Sequence, residues 1–292
     1  MNKVIFWNCR GTGTKAKCSR NYLHNMIRDH SPYLVFLLET RQVHVNRRFI
    51  DKLFGRRWSF AVIPSQGNSG GIILAWDDNK VNIHILLEHR QVLLVEASAV
   101  NGGTCITGGV YASNDEYQRK DLWETLKPLL HQDMPVVLGG DFNCIVGQEE
   151  KKGGRPFRDD IACQDFLQFM QNTDLRDAGY SGSSFTWCNN QSGGKRIWER
   201  LDRVLFNSAA LVQILGLQVS HLARIGSDHC PLLLSCGLNI FRPQGGVKFE
   251  DVWLTYEQAT VIVRNSWRYS TRGSPSTVLS KKSARTLRAL KK

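Results

Sequence analysis

Short apolar runs recur through the first 240 residues, and several stop at a polar side chain. Val4 to Trp7 ends at Asn8, and Tyr33 to Leu38 (YLVFLL) ends at Glu39. Thr104 to Val110 ends at Tyr111. Val136 to Leu138 is halted by Gly139 and Gly140, which deliver Asp141 and Asn143 in the stretch PVVLGGDFN. Such β-branched and aliphatic runs predict strands buried on both faces. Trp58 to Ile63, Gly70 to Trp76, Val81 to Leu87 and Val92 to Ala99 predict further strands. So do Phe185 to Cys188, Arg200 to Phe206 with Asp202 inside it, Val219 to His221, and Pro231 to Ser235.

Apolar positions at helical spacing predict helices over Asn21 to Asp29, Val43 to Leu53, Asp115 to Leu130 and Asp160 to Met170. Asp115 can cap its helix, and Leu122, Trp123, Leu126, Leu129 and Leu130 share one face. Lys151 to Arg158 reads as a basic, glycine-containing loop, and Asn189 to Lys195 (NNQSGGK) as a flexible polar one. Strands joined both by hairpins and by helices predict an α/β fold, with two mixed sheets and helices outside. The pattern changes after Cys236. Pro243 to Gly246 reads as a linker, and Val252 to Trp267 as an amphipathic helix. Beyond Thr271, Ser, Thr, Lys and Arg dominate and predict disorder. The expected division is a domain over 1–240 and a basic segment, partly helical or disordered, over 241–292.

Composition narrows the class. With 292 residues, 42% of them hydrophobic, the chain can bury a sizeable core. No apolar run reaches the ~18 residues of a membrane span, and the N-terminus MNKVIFWNCRG reads directly as a strand rather than a signal peptide. Eight cysteines are scattered without a CxxC pair, which argues against a zinc or redox motif and for reduced thiols in an intracellular protein. The net charge of +12 is uneven: from Phe241 onward there are 11 Lys+Arg against 3 Asp+Glu. A basic tail suits a polyanionic partner or a solvated segment.

The polar residues at strand ends have complementary chemistry. Hard cations such as Mg²⁺ take oxygen ligands and need few protein carboxylates, and Glu39 can serve. Hydrolysis of a phosphodiester also needs a base, donors for the phosphate oxygens and help for the leaving oxygen. Asp141 can orient and deprotonate a water. Asn8 and Asn143 are amide donors. His229 can contact phosphate or share in activating the water, with Asp202 fixing its tautomer. Asp228 can join the metal shell, and Tyr111 can donate to phosphate or to the leaving group.

The stretches FWNCRG, FLLET, GGVYAS, GGDFN, SSFTW, RLDRVL and GSDHCPLLL occur in the order found in the endonuclease/exonuclease/phosphatase superfamily. That group includes DNase I, apurinic/apyrimidinic endonucleases and inositol polyphosphate 5-phosphatases. The wording most resembles the apurinic/apyrimidinic-endonuclease-like domain of LINE-type non-LTR retrotransposons, in particular those of plants. The resemblance implies a four-layered α/β sandwich of DNase I type. It also implies a Mg²⁺-dependent nick, with Mn²⁺ as an alternative ion, that leaves a 3′-hydroxyl to prime reverse transcription. It places Glu39 and Asp228 at the metal, Asp141 and Asn143 as catalytic aspartate and phosphate-binding partner, Asp202 and His229 as a coupled pair, and Asn8 and Tyr111 in the active site.

Two departures stand out. Apurinic-site endonucleases carry an Asp two residues after the asparagine, where this chain has Arg10, which cannot ligate a cation. The chain also has no reverse-transcriptase YxDD motif, so the expectation is either a piece of a larger polyprotein, with that region as partner, or a truncated remnant.

DNA is the expected partner, with no membrane and no small-molecule cofactor, and the expected compartment is the nucleus. The oligomeric state is open. Arg155, Lys195 and Arg196 are the chosen phosphate contacts from a wider set of Arg47, Arg48, Arg56, Arg57, Lys151 and Lys152. The loop of Asn189 to Lys195 falls where LINE endonucleases carry a groove-probing hairpin. Trp187 and Trp198 are assigned to the core. Two other readings stay open: a phosphatase acting on phosphoinositides or other small phosphate esters, and a nucleic-acid-binding remnant without catalysis.

Overall fold

The structure is a computed structural model that describes residues 3–12, 17–67, 69–100, 102–130, 133–237, 256–271 and 275–290. It divides into two compact units, Met1–Asn239 and Ile240–Lys292.

Among the described residues the first unit holds fifteen strands. They begin with β1 (Lys3–Asn8), β2 (Leu34–Leu38), β3 (Trp58–Ile63), β4 (Ile72–Asp77) and β5 (Val81–His89). Then come β6 (Val92–Ala99), β7 (Thr104–Tyr111), β8 (Val136–Asp141), β9 (Lys151–Lys152) and β10 (Arg176–Asp177). The last are β11 (Trp187–Cys188), β12 (Trp198–Glu199), β13 (Asp202–Phe206), β14 (Gln218–His221) and β15 (Leu232–Ser235). Its helices are α1 (Lys17–His30), α2 (Arg47–Phe54), α3 (Glu116–Leu126), α4 (Ile161–Asn172) and α5 (Ser208–Gln213).

One six-stranded sheet runs β14-β15-β1-β2-β4-β3, and the other β10-β13-β8-β7-β6-β5. Both are mixed, because β1–β2 and β7–β8 are parallel pairs among antiparallel neighbours. Alternation along each strand sets the layers. Val4, Phe6, Leu34 and Phe36 meet Leu93, Val95, Val137 and Val204 between the sheets. Ile5, Trp7, Val35 and Leu37 face outward onto Leu23 and Met26 of α1 and Ile50 and Leu53 of α2. On the far side, Leu94, Val110 and Leu138 pack on Trp123 of α3 and Phe166 and Phe169 of α4. The result is the expected four-layered α/β sandwich, with two mixed sheets face to face and helices outside.

Two glycines set the spacing at the seam. A Cβ on Gly139 would lie 2.6 Å from the Phe6 ring, and one on Gly109 would run into the Phe36 ring. The two rings stack on each other with centroids 5.2 Å apart. Large side chains of one sheet therefore sit on bare backbone of the other.

Element ends depart from expectation where caps decide them. Asn46 accepts from the Phe49 amide at 2.9 Å, so α2 starts at Arg47 rather than Val43. Asp160 caps α4 in the same way. Asp202 opens its strand instead of lying within it, and the expected loop over Lys151 to Arg158 begins with β9. That strand pairs with β12, which pairs with β11, as a small third sheet.

The second unit contains α6 (Glu257–Arg268) and α7 (Pro275–Leu290). The disorder expected beyond Thr271 is corrected by α7. Its composition is polar, but Lys282 Nζ donates to the Trp267 carbonyl at 2.9 Å, and Arg285 donates to the Ser266 and Tyr269 carbonyls. Cations on the open carbonyls of a helix end stabilise both partners. The expected linker at Pro243 to Gly246 and the start of the expected helix at Val252 lie outside the described residues. Among the described residues, no helix is long and apolar enough to cross a membrane.

Gly109→Ala is expected to lower unfolding stability by about 1–3 kcal/mol, the usual range for overpacking. Phe36→Leu in the same chain should restore part of it. Urea denaturation checks this, and an unchanged midpoint would show that the sheets separate freely.

Candidate active site

Strand direction gathers the polar residues at one end of the sandwich. Asn8, Tyr111 and Asp141 close β1, β7 and β8, and Glu39 follows β2 directly. The antiparallel strands enter from that end. Asp202 is the Cα partner of Asp141, as Tyr111 is on its other side. His229 precedes β15, whose Leu232 pairs with Phe6 near the end of β1.

Asp141 is at the centre and is 1% exposed. Its Oδ2 accepts from Asn8 Nδ2 across the seam at 2.9 Å, and its Oδ1 from the Asn143 backbone at 3.0 Å. Asn143 Nδ2 in turn donates to the Ala112 carbonyl at 2.7 Å. Burial pushes the Asp141 carboxyl up to about 7, Asp202 adds to the rise, and His229 and the two hydrogen bonds oppose it. A carboxylate poised near neutrality suits a general base.

His229 Nδ1 faces Asp202 Oδ2 at 2.8 Å, which points Nε2 toward Asp141, 3.8 Å away, and toward Asn8. Thr186 Oγ1 accepts from the Leu201 and Asp202 amides at 3.1 and 3.0 Å and so holds the start of β13. Burial alone would lower the His229 pKa. The Asp202 and Asp141 carboxylates outweigh it, and the imidazolium is held up to about 9. The Tyr111 phenol is pushed up by burial and by Glu39 and Asp141, so it stays a neutral donor.

Backbone strain gathers here too. Among the described residues seven non-glycines have positive φ, and four of them, Arg10, Glu39, Arg41 and Asn143, lie in these loops. Asn tolerates that region, but Glu and Arg are strained by about 1–3 kcal/mol each. Such residues persist where surrounding structure holds a functional geometry.

Glu39 and Asp228, expected at the metal, each face an arginine. Arg41 donates to Glu39 Oε1 through Nε at 3.0 Å and through Nη2. Arg10 Nη1 is paired with Asp228 Oδ2, which also accepts from Trp187 Nε1 at 3.1 Å. Glu39 Oε2 accepts no hydrogen bond among the described residues, so one oxygen of the kind a hard cation takes is left over. Asp141, Asp202 and His229 place ligand atoms within 4.8 Å of one another. The Nδ1–Asp202 bond accounts for part of that closeness. These carboxylate oxygens and the imidazole are donors that a divalent cation would accept.

Arg155, Lys195 and Arg196, expected at phosphate, lie on the loops beside the site. Arg155 lines a cavity of about 280 Å³ with Asn143, Lys151 and Arg158. Lys195 is exposed, and Arg196 lies over the Trp198 ring at 5.9 Å. The third sheet joins their loops to the site, because Trp187 bridges to His229 and the Cys188 amide donates to the Asp228 carbonyl at 3.1 Å. Trp198 is buried as expected, but Trp187 is only half-buried and its indole serves Asp228. It was missed as a site residue because an aromatic in an apolar run carries no mark of which face it takes. Arg41 and Ser227, whose Oγ donates to the Asn8 carbonyl at 2.8 Å, were also missed. Their adjacency to Glu39 and Asp228 was the available signal.

A buried aspartate facing an aspartate–histidine pair, at one end of two face-to-face sheets, defines a DNase I-like class of hydrolytic nucleases and phosphatases. The chain belongs to the endonuclease/exonuclease/phosphatase family, whose sequence model matches residues 5–229. No curated protein sequence matches it. Among solved structures it is similar to the endonuclease domain of TRAS1, a telomere-specific non-LTR retrotransposon. The two are 16% identical with a TM-score of 0.63, covering 82% of this chain and 100% of that one. It is also similar to the AP endonuclease LMAP from Leishmania major, at 16% identity and a TM-score of 0.65, covering 80% and 86%. A third is the 3′ phosphatase NExo from Neisseria bound to a product DNA hairpin, at 19% and 0.60, covering 81% and 100%. At these identities the likeness is one of fold.

The His229–Asp202 pair makes stability depend on pH. A histidine raised from 6.5 to about 9 contributes fully below about pH 6.5, and its contribution is lost as pH climbs through 9. The melting temperature is expected to fall over that window, and to fall less in Asp202→Asn. Equal slopes in the two proteins would remove the pair from the account.

Proposed function

We propose that this chain is a Mg²⁺-dependent DNA endonuclease that hydrolyses a phosphodiester to leave a 3′-hydroxyl. The observation that carries the reading is Asp141, buried, oriented by Asn8 and Asn143, and faced by a histidine whose other nitrogen is held by Asp202.

In this reading Asp141 takes the proton of a water whose oxygen attacks phosphorus. The phosphorus–O3′ bond breaks opposite, leaving a 5′-phosphate. His229, protonated, donates from Nε2 to a non-bridging oxygen, and Asn143 and Asn8 hold the phosphate and the base in line. Tyr111, kept neutral, donates toward the leaving O3′. A cation held by Glu39 would withdraw charge from the phosphate and the leaving oxygen. The basic loops carrying Arg155, Lys195 and Arg196 suit the flanking strand. The ordered motifs from FWNCRG to GSDHCPLLL support an origin in a LINE-type element, in particular a plant one, with the nick priming reverse transcription in the nucleus. In such an element residues 1–240 would be the catalytic domain and the basic segment would lead to a reverse transcriptase.

The purified chain is expected to nick supercoiled plasmid with Mg²⁺ and to stop with EDTA. Asp141→Ala and His229→Ala should each lose about 100-fold or more while remaining folded by circular dichroism. Nicking that persists in both variants would reject the assignment. Turnover of inositol phosphates without nicking would favour the phosphatase reading. Salt-sensitive DNA binding without either activity would favour the remnant.

A further inference from the structure

Arg10 stands where a carboxylate stands in apurinic-site endonucleases, and the structure gives it a defined place. Asn8 and Leu38 are Cα partners, the Cys9 amide donates to the Leu38 carbonyl at 3.1 Å, and the Thr12 amide to the Thr40 carbonyl at 3.1 Å. The Arg10 loop therefore runs alongside Glu39–Arg41. A Cβ on Gly11 would lie 3.6 Å from Arg41 Cδ.

Both ends of Arg10 are committed. With φ at +49°, its amide turns back to donate to Asn8 Oδ1 at 3.2 Å. That bond fixes the orientation of the Asn8 amide, so that Nδ2 is the group facing Asp141. At the other end Nη1 pairs with Asp228 Oδ2, the oxygen that also takes the Trp187 indole. The Asp228 side chain is 3% exposed, while that of Arg10 is 51% exposed. A carboxylate so enclosed needs a partner, and a guanidinium with five donors keeps others for solvent or for a ligand. Arg10 and Arg41 both act electrostatically on Tyr111, as do Glu39 and Asp141.

We propose that Arg10 is a resident cation of this site. Its guanidinium satisfies Asp228 in place of a metal, the site takes one divalent ion, at Glu39, and the outward N–H groups of Arg10 hold the phosphodiester. Arg10 thereby does two tasks, since its backbone also orients Asn8 on Asp141. A second ion at Asp228 would have to displace the guanidinium and leave it unpaired beside another positive charge. This rests on the nuclease reading for the identity of the phosphodiester, but not for the count of ions.

Mn²⁺ titration of the full chain, followed by electron paramagnetic resonance and calorimetry, tests it without any cleavage. The wild type is expected to bind one ion that Glu39→Gln removes. Arg10→Ala should expose a second site or tighten the first by about tenfold, and Arg10→Lys, which keeps the charge, should behave as the wild type. Duplex DNA binding in EDTA should lose about one unit of log–log salt slope in Arg10→Ala. Two ions on the wild type, or Mn²⁺ binding and salt slope both unchanged in Arg10→Ala, would overturn the proposal. A wild type that cuts no DNA yet binds one ion, gaining a second in Arg10→Ala, would sink the nuclease reading and leave Arg10 its role.

Discussion

Everything at the site depends on how closely the two sheets approach. Phe6 sits on Gly139 and Phe36 on Gly109, with the rings stacked on each other, and any Cβ at those glycines would hold the sheets apart. The hydrogen bond from Asn8 to Asp141 spans the same seam at 2.9 Å. One partner is the last residue of β1 and the other the last of β8, in different sheets. Moving the sheets apart by the thickness of a methyl group would break it, because such bonds fail beyond about 3.5 Å. Packing in the core thus sets the Asn8–Asp141 distance at the rim.

The second constraint is charge. Four carboxylates, Glu39, Asp141, Asp202 and Asp228, gather at one end of a low-dielectric core, and each is compensated differently. Arg41 pairs with Glu39 and Arg10 with Asp228. His229 serves Asp141 and Asp202, hydrogen-bonded to Asp202 and 3.8 Å from Asp141. The two arginines are partly exposed, so ligands can compete for them. The inner group is buried, which raises the Asp141 carboxyl, while the carboxylates around His229 raise the imidazolium. Strained backbone at Arg10, Glu39, Arg41 and Asn143 aims these side chains, and the rigid strands before them supply the restraint.

The small third sheet shows why local patterns under-describe this molecule. Its strands have two residues each, too short for any alternation to be read. Yet they connect the basic loops to His229 through Trp187, and they bring the Lys151 ammonium onto Glu199. Two of the basic side chains first considered for phosphate, Lys151 and Arg47, are paired with Glu199 and Asp51.

The strands and most helices of the first 240 residues were legible because burial imposes a period on the chain, and Asn8, Glu39, Tyr111, Asp141 and Asn143 were legible because they interrupt it at strand ends. The ordered motifs likewise placed Asp202, Asp228 and His229. Tertiary structure alone decided which charges meet. Nothing in the spacing of Arg10 and Asp228, 218 positions apart, foretells their pairing, nor that Trp187 turns toward a carboxylate rather than the core. Nor does the composition beyond Thr271 show that Arg285 finds the end of α6 and a helix forms there. Local periodicity is written residue by residue, whereas a charge takes its partner from whatever the folded chain brings within a few ångströms.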